Sequence, residues 1–399
     1  MDDLERLLDA FQNKTLLKPD FSRPNFMNLV DAISVITGAN NNKLSANGMK
    51  IKKEIGDPQH LIFILADGVG NSSLEGALDS SNWLLKYHFQ TLESIYPSTT
   101  SAALTSLGTG LWPSEHSITG WWNFIPILGS PITVLPFRTL DNKRSLQKDL
   151  NFSDVIMHES LMSKMSRQAF VVQPHSIHNS MYSNFIGAGA THLPYHNLNE
   201  AIELIASNVL KTHSTSYTYW YISEADHQAH KTGTDSLQTQ MTIRDIDKAI
   251  TELRSKLNAD TTKIIFSSDH GHRKAKTKYT INKKDPINWY LSSPPSGDLR
   301  ISFYHVRKEF EDDFKKEFLA RFGKDFVLIP SIQLNNLRLF GPNELSKETL
   351  SRVGTFTAIS LGEAVLRYID GDVNDYFMKQ ESQHSGLSVD EMTIPLAIG

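Results

Sequence analysis

The chain has 399 residues, of which 40% are hydrophobic, and this size and composition suit a globular protein with one large domain or two smaller ones. Its formal net charge of −4 provides no positive field to attract a nucleic-acid polymer. The absence of cysteine excludes disulfides, thiolate metal ligands and cysteine nucleophiles, so oxygen and imidazole must hold any metal ion.

The first 50 residues predict an N-terminal helical segment (1–50) packed on the core. Leu4, Leu7, Leu8 and Phe11 recur at helical spacing, and acidic residues stand where a signal peptide would have basic ones. No stretch approaches the roughly twenty apolar residues of a membrane span. We therefore expect a cytoplasmic protein, and export without a cleaved signal stays open.

Buried strands alternate with helices along most of the chain. Continuous apolar runs predict strands at 60–68, 168–176, 216–226 and 262–271, and periodic patterns predict helices at 82–95, 154–165, 197–210 and 236–257. This alternation indicates an α/β fold with three layers and a mainly parallel central sheet. Asp67, Asp226 and Asp269 lie where three of these strands end, so we expect them to converge at one edge of the sheet.

The region from 285 to 350 breaks this alternation. Proline and glycine punctuate its start, and a strand-like run, a charged helical stretch and a second strand-like run follow. We predict a small inserted α/β cap lobe at 285–350, and a catalytic core formed by 51–284 and 351–399.

The stretch "YPSTTSAALTSLGTG" at 96–110 places two threonines, Thr99 and Thr100, at the start of a predicted short helix. Hydroxyl side chains at this position commonly cap the free backbone N–H groups. A helix N-terminus also attracts phosphate, so the hydroxyls could instead include a nucleophile. Because a threonine hydroxyl is weakly nucleophilic until it is activated, this reading requires an activator elsewhere in the chain.

Acidic and imidazole groups at the strand ends could supply that activator. Asp226 and His230 lie four residues apart, and Asp269 and His270 are adjacent after a strand. Each pair alone is a weak signal, but Asp67 and His384 complete a set of six. Six such ligands divide into two sites of three, and two metal ions can clamp the attacking and leaving oxygens of a phosphoryl transfer.

With these motifs in order, the sequence resembles the alkaline phosphatase superfamily, and within it the type I phosphodiesterase/nucleotide pyrophosphatase branch. The resemblance runs through "LIFILADGVG", "YPSTTSAALTSLGTGLWPSEHSITG", "EADHQAHKTG", "SSDHGH" and "QHSGLSVDEMTIPL". It implies two divalent metal ions, zinc or alternatively manganese. The implied ligands of the first ion are Asp226, His230 and His384, and those of the second are Asp67, Asp269 and His270 together with the nucleophile.

The resemblance also implies that the nucleophile is Thr100, with Thr99 as the alternative if the alignment slips by one residue. The chain departs from the family at Ala103. Nucleotide-cleaving members have an asparagine there that holds a phosphate oxygen, so nucleotide specificity is less certain than the core chemistry.

Three further residues are candidates for substrate contact. Trp121 and Trp122 could stack on a base or an aryl group, although core packing is the more common role for at least one of them. Lys274 belongs to a basic segment at 273–284 that is either solvated or able to reach a substrate phosphate. His175, His178 and His272 receive no role.

The sequence thus predicts a metal-dependent phosphoester hydrolase that forms a phosphothreonine intermediate. A small-molecule diester or pyrophosphate, such as a nucleotide, is the favoured substrate, because no cation lies near Thr100 in sequence. A phosphomonoesterase or phosphonate hydrolase is the first alternative, with Arg300 or the basic segment as the clamp for the extra charge. A catalytically dead phosphate- or partner-binding module is the second, and the oligomeric state stays open.

Overall fold

A computed structural model describes residues 2–40, 43–370 and 375–399. The helices are α1 (Asp3–Gln12), α2 (Phe26–Thr37), α3 (Ala46–Ile55), α4 (Asn71–Ala77), α5 (Trp83–Lys86), α6 (Thr100–Thr109), α7 (Pro113–His116), α8 (Met181–Ile186), α9 (Leu198–Lys211), α10 (Glu224–Thr232), α11 (Leu237–Ser255), α12 (Glu311–Phe322), α13 (Ile332–Asn336), α14 (Lys347–Val353), α15 (Asp375–Lys379) and α16 (Val389–Met392). Among them, none is both long and apolar enough to span a membrane.

The strands are β1 (His60–Ala66), β2 (His88–Glu93), β3 (Trp122–Ile125), β4 (Ser130–Thr133), β5 (Arg138–Thr139), β6 (Gln168–Pro174), β7 (Thr191–Tyr195), β8 (Ser216–Ile222), β9 (Thr262–Ser267), β10 (Arg273–Lys274), β11 (Thr277–Asn282), β12 (Ser296–Gly297), β13 (Ile301–Tyr304), β14 (Phe326–Pro330), β15 (Phe356–Ser360), β16 (Ala364–Ile369), β17 (Ser382–Gln383) and β18 (Thr393–Ile398). They form two seven-stranded sheets and two small two-stranded sheets.

The central sheet has the strand order β2-β18-β9-β1-β8-β6-β7. Strands β9, β1, β8, β6 and β7 run parallel, and β18 is antiparallel to both of its neighbours. This arrangement confirms the predicted α/β fold with a mainly parallel sheet. The carboxyl ends of β1, β8 and β9 therefore meet at one edge.

Alternation along β1 shows why both faces of this sheet are covered. Leu61, Phe63 and Leu65 are buried in a core shared with α2, α3 and α6. The intervening residues of β1 are buried on the opposite face in a core shared with α4, α9, α10 and α11. A strand that is apolar on both faces requires helices on both sides, which produces the three layers.

The second large sheet is antiparallel and has the order β14-β15-β13-β12-β3-β4-β5. Helix α12 covers one face through Phe314, Phe318 and Phe322. Helix α1 covers the other face, where Leu7 and Ala10 are buried. The predicted domain boundaries stay a prediction. This sheet includes β3 to β5 and β15, which lie outside 285–350, and α1 packs on it instead of on the central sheet. A separate cap domain stays a prediction.

Two predicted helices are wrong. Residues 82–95 form only the single-turn α5 and then β2, because β2 pairs with β18 from the far end of the chain. Residues 154–165 contain no α-helix and include a short 3₁₀ turn at Met162–Lys164. Ser160 Oγ accepts a hydrogen bond from the Met162 backbone and donates one to Ile186, and such local bonds compete with helix formation. The helices predicted at 197–210 and 236–257 are observed as α9 and α11.

Candidate active site

Three carboxylates meet at the carboxyl edge of the central sheet, where parallel α/β sheets bind ligands. Asp67 follows β1, Asp226 lies in the first turn of α10 after β8, and Asp269 follows β9. Because β1 pairs with both β8 and β9, these strand ends are adjacent although their residues are distant in sequence.

The two threonines at the start of α6 point in different directions. Thr100 Oγ1 lies 3.4 Å from an Asp67 carboxylate oxygen and 3.2 Å from His270 Nε2. Thr99 Oγ1 instead donates a 2.8 Å hydrogen bond to Asp298, and it does not cap the helix with its side chain. Of the two threonines, Thr100 therefore faces Asp67 and His270, whereas Thr99 faces Asp298.

Asp67, Asp269 and His270 form a buried set that we call the inner cluster. One ligand atom from each lies within 4.8 Å of the others. His270 Nε2 is 3.4 Å from an Asp67 oxygen and 3.5 Å from Asp269 Oδ2. The Asp269 carboxylate is fully buried; its Oδ1 accepts from the backbone N–H of Gly68 and of His270, whereas its Oδ2 has no hydrogen-bond partner in the described structure.

The charge of the inner cluster is uncompensated. Burial, together with the neighbouring Asp269 and Asp226 carboxylates, raises the pKa of Asp67 well above its ordinary value, although the Tyr221 hydroxyl donates to Asp67. A buried carboxylate oxygen without a partner is costly unless a proton or a cation occupies the space beside it. The donor set, two carboxylates and an imidazole, therefore fits a divalent metal ion.

Asp226, His230 and His384 form a second set, the outer cluster. His230 Nε2 lies 3.3 Å from Asp226 Oδ1, and His384 Nε2 lies 3.8 Å from the same oxygen. These side chains are 10–20% exposed, so the outer cluster lies nearer to solvent than the inner one. Among the described residues, the groups around Asp226 whose ligand atoms all lie within 4.8 Å of one another are Asp226 with His230 and His272, and Asp226 with His270 and His384. His230 and His384 thus approach Asp226 in different groups.

Backbone carbonyl groups fix the orientation of three imidazoles. The Nδ1–H groups of His230 and His384 donate to carbonyl oxygens of other segments, Ser382 (2.9 Å) and Ser98 (3.1 Å). The Nδ1–H group of His270 donates to the carbonyl oxygen of the next residue, Gly271 (3.0 Å). These bonds assign the proton of each neutral ring to Nδ1 and direct Nε2, with its lone pair, towards the carboxylates. Metal-binding histidines are typically held in this way. The donor sets of both clusters thus fit divalent ions.

His272, for which the sequence predicts no role, also lies beside Asp226 of the outer cluster. Its Nε2 lies 2.9 Å from Asp226 Oδ1, and its Nδ1 lies 3.1 Å from Ser382 Oγ. Burial lowers its pKa to about 4, against the opposing effect of Asp226. Its position in the sequence, two residues after His270 at the end of the same strand, is the feature that could have indicated a place in the site.

The electrostatics of the outer cluster differ from group to group. Burial opposes ionisation of Asp226, but His230 and His272 outweigh it and lower the pKa of Asp226 well below its ordinary value. Burial also opposes the charged form of His230, yet Asp226 raises its pKa. Burial and the nearby His270 lower the pKa of His384 well below its ordinary value.

A cavity of about 560 Å³ opens beside Thr100. Asp67 and Asp226 also line it, and Trp121, Tyr219 and Tyr221 contribute aromatic walls. Tyr221, which the sequence reading also missed, both donates to Asp67 and lines this cavity; its position in the alternating run Tyr217, Tyr219, Tyr221 indicates a shared face of β8.

The structure does not bring Trp122 and Lys274 to this cavity. Trp122 is the first residue of β3, and the centre of its ring lies 5.6 Å from the guanidinium of Arg367. Lys274 pairs with Asp235 at 2.9 Å and lines a separate cavity of about 180 Å³. The basic segment at 273–284 contains β10 and β11, and Arg273, Lys274, Lys276 and Lys283 are ion-paired.

Two other residues singled out from the sequence are enclosed in the protein. Arg300 is fully buried and pairs with Glu391 at 2.7 Å, so it does not reach Thr100 as a phosphate clamp. Ala103 is fully buried in the core between α6 and the central sheet, and its methyl group provides no hydrogen-bond donor for a phosphate oxygen. His175 and His178 lie near each other away from both clusters, with ring centres 4.7 Å apart.

Residues 61–316 match the type I phosphodiesterase / nucleotide pyrophosphatase family. No curated protein sequence matches the chain. Murine ectonucleotide pyrophosphatase / phosphodiesterase 5 is a similar solved structure, with a TM-score of 0.61 and 16% identity over 84% of this chain and 87% of the murine chain. An inactive threonine-to-alanine form of that protein was solved with AMP (TM-score 0.61, 15% identity, 84% of this chain and 87% of that one).

Phosphonoacetate hydrolase from Sinorhizobium meliloti 1021, in complex with phosphonoformate, is also similar in structure. Its TM-score is 0.60 and its identity is 14% over 86% of this chain and 90% of the hydrolase chain. At identities this low, the similarity concerns the fold.

Proposed function

Because the chain belongs to the type I phosphodiesterase/nucleotide pyrophosphatase family and is a phosphoester hydrolase, we propose that it hydrolyses small-molecule phosphodiesters or pyrophosphates through a phosphothreonine intermediate on Thr100. The observation that carries this proposal is the position of Thr100 Oγ1 within 3.5 Å of both Asp67 and His270. The threonine-to-alanine form of the murine relative, described as inactive, supports a threonine nucleophile.

Two divalent metal ions, zinc or manganese, belong to this proposal. Asp67, Asp269 and His270 would hold one ion, together with the Thr100 oxygen. Asp226, His230 and His384 would hold the other. When bound, such ions stabilise negative charge on the reacting oxygens and lower the pKa of a nucleophilic hydroxyl or water.

Thr100 carries the group transfer in two steps. Its oxygen forms a bond to phosphorus while the bond from phosphorus to the leaving alcohol oxygen breaks, and water later cleaves the phosphothreonine. As the first residue of α6, Thr100 presents the phosphate to the helix N-terminus, where backbone N–H groups and the helix dipole favour negative charge.

The cavity beside Thr100 supports a diester over a monoester. None of the described residues that line it is lysine or arginine. A phosphate monoester carries one more negative charge than a diester, and a cation would have to balance it. In a diester a second ester bond replaces that charged oxygen. Phosphonoacetate carries a carboxylate, so the same observation does not favour it as a substrate.

The alternative of a catalytically dead module is not supported by any lost group. Every residue of the two clusters and Thr100 is present and faces the same site. A cytoplasmic location stays a prediction from the sequence.

The test compares bis(4-nitrophenyl) phosphate with 4-nitrophenyl phosphate on protein loaded with zinc or with manganese. We expect a higher kcat/KM for the diester with at least one of these metals. A clear preference for the monoester would contradict the proposed substrate class, and hydrolysis of neither ester would contradict the proposed function. A Thr100→Ala protein prepared in parallel measures any contaminating activity.

A further inference from the structure

Strand β6 carries a polar side chain into the cavity beside Thr100. Ala169 and Val171 of β6 are buried in the core that lies under α6. Because side chains alternate along a strand, Gln173 lies on the same face as these two residues, and it lines the cavity. Ala169 and Val171 are apolar, so an apolar residue would be expected at position 173 as well. The polar amide at this position suggests a role other than packing.

The amide nitrogen of Gln173 is buried without a partner in the described structure. The residue is only 4% exposed, and its Nε2 atom has no hydrogen-bond partner in the described part of the chain. A buried amide left unpaired destabilises a protein, and native structures rarely keep one without a function. The last torsion angle of glutamine is broad and soft, so the amide can turn towards a ligand in the cavity.

The rest of the cavity restricts what that ligand can be. Trp121 and Tyr219 present aromatic surfaces, and Leu104 and Ile186 present aliphatic ones. No lysine or arginine among the described residues lines the cavity. Such a wall suits a flat, uncharged group, and an amide adds both a hydrogen-bond donor and an acceptor to it.

We propose that Gln173 is a specificity-determining residue, whose carboxamide hydrogen-bonds to an uncharged, flat ester substituent that occupies the cavity beside Thr100. The proposal rests on the proposed phosphodiesterase function for the orientation of the substrate. In this proposal Gln173 discriminates between ester substituents. The metal clusters cannot do so, because they would contact the phosphate and not the substituent. Substituents with a hydrogen-bonding edge should be preferred over plain aryl groups of similar shape.

The experiment uses two diesters with the same leaving group, thymidine 5′-(4-nitrophenyl phosphate) and phenyl 4-nitrophenyl phosphate. Gln173→Leu replaces the amide with an apolar group of similar size. We expect it to lower kcat/KM for the thymidine ester roughly 10- to 100-fold, and to leave the phenyl ester within about threefold, because only the first loses a hydrogen bond. Since an unpaired buried amide is removed, the melting temperature should stay level or rise.

Gln90→Leu is the matched control. Gln90 lies on β2, its Nε2 is also buried without a partner, and it does not line the cavity. This substitution should change the thermal stability in the same direction and alter the activity on neither ester. An equal loss on both esters in Gln173→Leu, or no loss on either, would overturn the inference.

A binding measurement separates this inference from the proposed function. Calorimetry would compare thymidine 5′-monophosphate with phenyl phosphate on the metal-loaded wild type and on Gln173→Leu. If neither diester is hydrolysed but thymidine 5′-monophosphate binds at least tenfold more weakly to Gln173→Leu, the role of Gln173 stands and the proposed function fails. Equal binding to both proteins, or no binding to the wild type, would overturn the role of Gln173.

Discussion

The inner and outer clusters share one sheet edge but differ in composition and support. The inner cluster has two carboxylates and one imidazole, and its side chains are at most 4% exposed. The backbone N–H groups of Gly68 and His270 hold the Asp269 carboxylate. The outer cluster has a single carboxylate, Asp226, and its imidazoles come from three separate segments. The inner cluster is thus a fixed product of the strand ends, whereas the outer one depends on how the C-terminal segment docks.

This difference suggests a division of labour. The inner cluster contacts Thr100 and so acts on the attacking oxygen. The outer cluster lies nearer to solvent, and under the proposed function it would act on the leaving group and on the entering water. Substitutions in the two clusters should therefore have separable effects.

The largest effect is expected at Thr100. Thr100→Ala should lower kcat by a factor of about 10³ or more, because no other hydroxyl of the described residues lies within hydrogen-bond reach of both Asp67 and His270. Thr99→Ala is the matched control; it removes only the hydrogen bond to Asp298 and should cost about 1 kcal/mol of unfolding free energy. Steady-state kinetics with the aryl diester check both variants. A Thr100→Ala enzyme that keeps more than a tenth of the wild-type rate would remove the inner cluster from the reaction.

Metal content should separate the two clusters. Wild-type protein loaded with zinc should approach two ions per chain, and His384→Ala and Asp67→Asn should each approach one, because each loses a ligand from one cluster. Thr100→Ala should keep both ions, since three protein ligands remain in the inner cluster. Elemental analysis after removal of free metal measures this. A single ion in the wild type, or two in both ligand variants, would contradict the division into two sites.

Metal removal should destabilise the protein, and the effect should depend on pH. In the metal-free fold burial raises the pKa of Asp67, so a proton on Asp67 stabilises that fold at low pH and this contribution is lost as pH rises through the raised pKa. Metal binding needs the ionised carboxylate, so it competes with this proton. We expect metal to raise the melting temperature by more than about 5 °C at pH 7.5, and by clearly less at pH 5.

Scanning calorimetry of metal-loaded and chelated protein at the two pH values measures this difference. A gain in melting temperature that is equal at both values, or larger at pH 5, would show that protons on the carboxylates do not compete with the metal.

His116 is a buried imidazole that is hydrogen-bonded to α6, the helix that begins at Thr100. It accepts a hydrogen bond from the backbone N–H of Ile118 and donates one to Ser106 on α6, so the structure requires the neutral ring. Burial lowers its pKa from 6.5 to about 3. The stability that the neutral ring contributes is complete above pH 6.5 and declines as pH falls towards 3.

At pH 5 this decline should amount to about 2 kcal/mol relative to pH 7.5. Chelated His116→Gln, which keeps a donor and an acceptor without a titrating group, should lose less stability than the chelated wild type over the same interval. Urea unfolding at both pH values measures the two changes. Equal changes in the two proteins would mean that His116 is not held neutral.

The two adjacent tryptophans give the smallest expected effect on activity. Trp121 lines the cavity, and its backbone N–H is held by Asp298, whereas Trp122 contacts Arg367 outside it. We expect Trp121→Ala to raise KM for an aryl diester roughly tenfold through lost aromatic contact, and Trp122→Ala to affect stability alone. Initial-rate kinetics and thermal melts of both variants test this, and a larger KM effect at Trp122 would contradict the position of the cavity.

The sequence predicted four strands of the central sheet, β1, β6, β8 and β9, because each is an apolar run. It predicted the set of acidic and imidazole groups because β1, β8 and β9 run into Asp67, Asp226 and Asp269. It did not predict β2 and β18, whose pairing joins residues some 300 positions apart along the chain. The second sheet escaped for the same reason, since its strands come from two separate regions. Hydrophobic periodicity in the sequence indicates local secondary structure. It does not indicate which strands pair, because that depends on residues far apart in the chain.

Within the site, residue patterns alone leave Thr99 and Thr100 as alternatives, because the orientation of the two side chains depends on the hydrogen bond from Thr99 to Asp298. Tyr221, His272 and Gln173 were likewise hidden. Each looks ordinary in its strand or motif, and only the packing of neighbouring segments shows what its polar atom faces.

The central claim is that Thr100 becomes covalently phosphorylated during turnover. The most direct measurement is to quench the metal-loaded enzyme with acid while it hydrolyses an aryl diester, and to map the modified residue by mass spectrometry. We predict that the transferred phosphoryl group, still carrying the retained substituent, is found on Thr100. A modification on Thr99, or no covalent intermediate together with an active Thr100→Ala enzyme, would contradict the account.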